Sequence, residues 1–158
     1  MGNYELGIMN YEWEGRLNQF YVLDELKPYG SGKKENIILE KTFAFAVRIV
    51  KLQQFLVKEK TEFVLSKQIL RSGTSVGANT EEAMAASSTR DFIAKLDIAA
   101  KEIRETSYFL RLLFHTGYIS PESFESIHGD CLEIKKILSS ILLTTKANQN
   151  RIMKTHNS

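Results

Sequence analysis

A chain of 158 residues with 21 Lys and Arg against 19 Asp and Glu carries a net charge of only +2 at pH 7, too small a sum to announce nucleic-acid binding, so the placement of charge matters more. The length suits one domain with a real core and is short for two, and with proline only at Pro28 and Pro121 the expectation is an all-α fold. A lone cysteine, Cys131, excludes an internal disulfide; with no signal-like or membrane-length apolar run, the chain reads as cytoplasmic.

Residues 1–35 mix Gly, Asn, Tyr and both charge signs without a helical period and close on the breaker cluster from Lys27 to Lys34. They read as an appendage. Trp13, Leu17, Phe20, Tyr21 and Leu23 offer a short docking element, and a loosely held tail is the alternative.

From Asn36 to Lys60 the pattern turns helical. Ile38, Phe45, Ile49, Leu52 and Leu56 form one apolar stripe, and Leu39, Phe43, Ala46, Val50 and Val57 form a second beside it. Together they span roughly 200° of a wheel, against the roughly 100° that a surface helix of a lone domain uses. The excess points to a partner subunit. On the remaining arc stand Lys41, Arg48, Lys51 and Lys58 with Glu40 and Glu59, an exposed and mainly basic stripe.

After the polar break at Lys60-Thr61-Glu62, a second helix is predicted from about Phe63 to Ala86. Its inner face is small: Leu65, Ile69, Ser72, Gly73, Val76, Thr80 and Ala83. Gly73 and Gly77 each cost about 1 kcal/mol relative to Ala inside a helix, and close approach of a neighbouring backbone is the plain way to offset that. Beside this face runs a polar seam of Gln68, Arg71, Ser75, Asn79 and Glu82.

Ser88-Thr89-Arg90-Asp91 is a capping box opening a third helix with core residues Phe92, Leu96, Ala99, Ile103, Thr106, Leu110 and Leu113; Gly117 is its left-handed stop. Asp91 to Lys95, Asp97 to Lys101 and Lys101 to Glu105 stand at i,i+4 spacing. Ser120-Pro121 opens a fourth helix through Phe124, Ile127, Cys131, Ile134, Leu138 and Ile141, which fades near Thr145 and leaves 146–158 as a mobile basic tail. Four helices joined by short turns, over 36–145, predict an up-down-up-down antiparallel four-helix bundle.

Three motifs mimic chemistry. Gly73-Thr74-Ser75-Val76-Gly77 matches the G-x-S-x-G nucleophile elbow, but that serine needs a preceding strand to hold it on a strained turn, and both flanks here are helical. Glu125-Ser126-Ile127-His128 has the Glu-x-x-His spacing of bundle di-metal sites; such a site needs two of them, and only one exists, so both residues read as surface positions. Glu102 falls inside the broad apolar arc of helix three, where a carboxylate needs a partner, and Arg71 or Asn79 is the natural one. The role preferred for it is structural, since no nucleophile or acid stands near enough in sequence to make it a base. Cys131 reads as a small buried hydrophobe. No cofactor motif is present, and His115 and His156 lack ligand spacing to another residue.

The run Lys67 to Ala83, then Asp91 to Leu96, then Ala100 to Leu113, with the helix-one segments Asn36 to Leu39 and Val47 to Leu52, resembles the bacterial four-helix bundle protein family. That family includes proteins encoded in intervening sequences of the large-subunit ribosomal RNA gene, and the likeness extends over about residues 36–145. It implies a homopentameric barrel of bundles and no enzymatic activity. It also implies a distant likeness to accessory proteins of diversity-generating retroelements, which bind nucleic acid and a reverse transcriptase. Arg71, Asn79 and Glu82 stand where the family's polar residues stand; Thr80 and Ala83 replace an aliphatic residue and a glycine, marking a sub-branch. The functional expectation is a non-enzymatic oligomer that binds RNA or structured DNA through phosphate contacts from Arg48, Lys51, Lys58, Lys67 and Arg71. The alternative is a protein-binding scaffold, with the basic stripe merely solvated.

Overall fold

A computed structural model describes residues 36–156; the predicted appendage 1–35 lies outside the described residues. Among them are four α-helices and no strand: α1 (Ile37–Lys60), α2 (Leu65–Met84), α3 (Thr89–His115) and α4 (Pro121–His156). Each helix touches the next and α4 touches α1, so the four surround one core. None is long and apolar enough to cross a membrane.

The 3,4 periodicity finds its core. Ile38, Phe45, Ile49, Leu52 and Leu56 of α1 are buried with Ile69 and Val76 of α2, Leu96, Ile103, Leu110 and Leu113 of α3, and Ile127, Cys131, Ile134 and Leu138 of α4. Buried threonines fit this core because their hydroxyls close on their own helix. Thr42 donates to the Ile38 carbonyl, Thr80 to that of Val76 and Thr106 to that of Glu102, each at 2.8 Å.

The helix ends follow local chemistry, and two departures from the sequence reading have clear causes. At the start of α2 the Glu62 carboxylate turns inward and accepts the N–H groups of Val64 (3.0 Å), Leu65 (2.8 Å) and Ser66 (2.6 Å). This satisfies donors that a helix start leaves orphaned, and it starts α2 at Leu65 rather than Phe63. Thr61 before it takes a left-handed φ of 53°, and the Glu62 N–H returns to the Leu56 carbonyl at 2.9 Å. Ser88 caps α3 as predicted, its hydroxyl accepting the Asp91 N–H at 3.1 Å, and Gly117 has a φ of 79°.

The second departure is α4. It runs to His156 instead of fading near Thr145, so most of the predicted tail is helical. Residues 146–156 contain no Gly or Pro, and a helix already nucleated propagates through Lys, Ala, Gln, Arg and Met at little cost.

Gly73 and Gly77 face α1, and they are unequal. A Cβ at Gly73 would lie 2.7 Å from Cγ1 and 2.8 Å from Cγ2 of Ile49, whereas one at Gly77 would meet its nearest atom, the Thr42 carbonyl oxygen, at 3.4 Å. Ile49 is branched at Cβ and buried, so it has little rotamer freedom with which to yield. Gly73→Ala is therefore expected to lose about 1–2 kcal/mol, the overpacking penalty less the helix-propensity gain. Gly77→Ala should fall between neutral and about 1 kcal/mol more stable. Urea denaturation of both variants checks this; equal losses would remove the asymmetry.

Glu62 sets an acid limit. Burial acts to raise its pKa, but the hydrogen bonds from Leu65, Ser66 and Val64 outweigh it and hold the carboxyl below the ordinary value of 4.5. A group depressed in the folded state stabilises above its unfolded pKa, and that stability is lost as pH falls through the folded value. At pH 7 Glu62→Gln should cost about 1 kcal/mol, the usual worth of a cap. The gap from the parent should narrow as pH drops below about 4.5, which denaturation midpoints across pH 7 to 3 would show.

Candidate nucleic-acid interface

The basic residues of α1 and α2 do not form one uniform exposed stripe. Arg48 is half-buried against α4, where its guanidinium hydrogen-bonds the Asp130 carboxylate, the Ser126 hydroxyl (2.8 Å) and the Ser126 carbonyl (3.4 Å). Lys41 pairs with Glu133 of α4 at 3.0 Å. Arg71 is bound by Glu105 of α3, with Glu102 at 3.5 Å on its other terminal nitrogen; Glu105 first and then Glu102 push the Arg71 pKa further above its already high value.

Lys58 and Lys67 are exposed and Lys51 is half-buried; none of the three meets a carboxylate among the described residues. Lys60 lies over the Phe55 ring, its ammonium 5.7 Å from the centroid. Of the five residues named for phosphate contact, then, Lys51, Lys58 and Lys67 keep their charge for solvent, while Arg48 and Arg71 spend theirs on neighbouring helices.

The polar seam of α2 turns toward α3, with an unequal distribution of partners. Arg71 reaches Glu105 and Glu102, and Glu82 reaches Lys95, whose pKa rises in consequence. Ser75 donates to the Arg71 carbonyl at 2.7 Å and Asn79 to the Ser75 carbonyl at 2.8 Å, so both close within α2; Gln68 is exposed. Glu102 therefore takes Arg71, not Asn79, as its neighbour. One buried oxygen of Glu102 makes no hydrogen bond, because Arg71 stands at ion-pair distance without the alignment. Deeper in the same interface the hydroxyls of Ser72 and Thr106 meet at 3.1 Å.

The charge pairs predicted along α3 give way to pairs between helices. Lys95 goes to Glu82, Glu105 to Arg71, and Asp97 accepts Lys146 of α4 at 2.9 Å. The sequence alone does not mark Asp130, Ser126 and Glu133 as partners of these cations. Their spacing puts them on one edge of α4, but which cation they serve depends on α4 closing against α1.

The remaining motifs settle into ordinary surroundings. Ser75 lies mid-helix in α2. Glu125 is exposed, while His128 is half-buried, stacked on Phe124 (centroids 4.7 Å apart) and 2.9 Å from the Ser107 hydroxyl. Burial, then Arg111 and Lys135, lower the His128 pKa. No group of three metal-ligating side chains occurs among the described residues. Burial pushes the Cys131 thiol up to about 12, which keeps it in the unreactive form.

The family model described as 23S rRNA-intervening sequence protein matches residues 34–140. Among solved structures, the chain is similar to a protein of unknown function from the S23 ribosomal protein family of Bacteroides thetaiotaomicron VPI-5482. The identity is 58% and the TM-score 0.66, over 66% of this chain and 97% of that one. Among curated proteins none matches.

If Arg48 is a clamp between α1 and α4, Arg48→Ala should lower stability by about 1–2 kcal/mol, the worth of charge-assisted hydrogen bonds reduced for partial exposure. Arg48→Lys should recover only part, since an ammonium lacks the planar fork. Lys51→Ala should stay within about 0.5 kcal/mol of the parent. Thermal melts of the three variants are the check, and an Arg48→Ala as silent as Lys51→Ala would rule the clamp out.

Proposed function

Because the chain belongs to the 23S rRNA-intervening sequence protein family, we propose that it is a non-catalytic, homopentameric assembly of antiparallel four-helix bundles that binds nucleic acid electrostatically in the cytoplasm. The observation that carries the binding reading is the set Lys51, Lys58 and Lys67 on the α1–α2 pair, which meet no carboxylate among the described residues while Lys41, Arg48, Arg71, Lys95 and Lys146 are each paired. Symmetry-related copies of a modest charge sum to a strong field. Phosphates are the chemical class such a field selects, without sequence readout.

The antiparallel arrangement draws support from paired positions whose numbers run in opposite senses. On the α1–α2 side, Asn36 reaches Met84 while Ile49 lies at Gly73. Oligomerisation draws support from the second apolar stripe of α1. Leu39, Ala46, Val50 and Val57 are only half-covered, and Phe43 is 56% exposed. A protein-binding scaffold is the competing reading, favoured by the capture of Arg48 and Arg71 within the bundle.

Fluorescence anisotropy with labelled single-stranded RNA, duplex RNA and duplex DNA across a salt series separates the two. A binder should lose affinity with a log–log slope near −0.9 per phosphate neutralised on duplex DNA. The triple variant Lys51→Glu, Lys58→Glu, Lys67→Glu should lose binding at unchanged oligomer mass by light scattering. Absence of binding at low salt by the assembled parent would pass the case to the scaffold.

A further inference from the structure

The turn between α1 and α2 inverts the usual sorting of side chains. Glu62 is buried, 7% exposed, while the next two residues, Phe63 and Val64, are 51% and 71% exposed. A charged residue inside and a phenyl ring outside is the informative combination, since an exposed aliphatic residue alone would be ordinary. Glu62 is inside because it caps α2, and that forces its neighbour outward. The capping explains the direction of residue 63; it does not call for an aromatic ring there, and Phe63 is not among the side chains packed on the core.

Along the chain on both sides of this ring, lysines predominate. Lys58 and Lys60 end α1 and Lys67 begins the first turns of α2, and none of them meets a carboxylate among the described residues. Glu62 is one of two acidic residues between Lys58 and Lys67, and its charge is turned inward onto backbone N–H groups, leaving Glu59 as the other. The turn is also held firmly, with both Thr61 and Glu62 N–H groups returning to the Leu56 carbonyl. An outward-facing ring with lysines close to it in the chain combines the two elements that unpaired nucleotides engage: a stacking platform and a cationic track for phosphates.

We infer that the α1–α2 turn is a contact point for single-stranded nucleic acid, with Phe63 stacking on an unpaired base while Lys58, Lys60 and Lys67 hold the flanking phosphates. This rests on the nucleic-acid reading above and narrows it to single strands. A duplex offers phosphates to the lysines but buries its base faces, so Phe63 should discriminate between the two. An anionic membrane would also attract lysines. Against it stands the small apolar area of one phenyl ring and one valine.

The test uses the full chain in its native oligomeric state, with fluorescein-labelled oligo(U) and a duplex RNA of equal phosphate number. Phe63→Ala should weaken oligo(U) binding by about 5- to 100-fold, the range for loss of one aromatic stack. Duplex binding and the salt slope should stay at the parent's values. Phe63→Trp should retain oligo(U) affinity and add tryptophan emission that the oligonucleotide quenches beyond the change seen in the parent, whose one tryptophan is Trp13. Because residue 63 is exposed and outside the core, melts of both variants should match the parent. Parent-like oligo(U) binding by Phe63→Ala would overturn the stacking contact while leaving phosphate binding intact, provided the lysine reversals still abolish it. Failure of the parent to bind any of the oligonucleotides would overturn both. Selective loss by Phe63→Ala of binding to phosphatidylglycerol vesicles, with oligo(U) unaffected, would assign the turn to a lipid surface instead.

Discussion

At Gly73 the backbone of α2 comes so near to α1 that one added carbon would fall 2.7 Å from the Ile49 side chain. Toward α1 this approach lets Gly73 and Gly77 stand where larger residues would hold the helices apart. On the side toward α3, the seam residues Arg71 and Glu82 pair with Glu102, Glu105 and Lys95. Two glycines weaken an isolated helix by about 1 kcal/mol each, and tertiary packing is what makes α2 helical there.

The charges divide according to the same geometry. Across three of the four helix contacts, cations on one helix meet carboxylates on the other: α1 with α4 through Lys41 and Arg48, α2 with α3 through Arg71 and Glu82, α3 with α4 through Asp97. Exposed pairs of this kind add little stability individually. Their larger effect is on the surface, because each pair removes a positive charge from the field seen by a distant phosphate. What is left on α1 and the start of α2 is a set of lysines, whose compact and strongly hydrated ammonium groups suit mobile contacts to a backbone better than a fixed fork.

The fold was largely legible in the sequence. Strict 3,4 spacing in α1, α3 and α4 names most of the core, and Ser88, Gly117 and Ser120 mark helix ends by a mechanism that needs no tertiary information. What stayed hidden was set by the neighbours. Nothing local says that Glu62 will turn inward, because a carboxylate just before a helix is equally at home in water. Nothing local says that Arg48 will be half-buried either; on its own helix it lies on the polar arc, and only Ser126 and Asp130 of α4 remove it from the surface. The continuation of α4 past Thr145 carries no amphipathic period to announce it, because a segment free of breakers continues a helix without one.

The second apolar stripe of α1 and its lysines occupy neighbouring, not identical, parts of the helix surface. Lys51 follows Val50 and so stands about 100° round the axis from it, and Lys58 follows Val57 in the same sense. In the proposed oligomer a second subunit could therefore cover Phe43, Val50 and Val57 while leaving both ammonium groups at the rim of the contact. Burying the stripe would then do two things at once: remove apolar surface that α1 alone leaves half-exposed, and repeat the lysine rim around the symmetry axis. A net charge of +2 per chain is weak for a monomer. Repeated around the axis of the proposed assembly, the lysine rim would sum to a field strong enough to steer a polyanion.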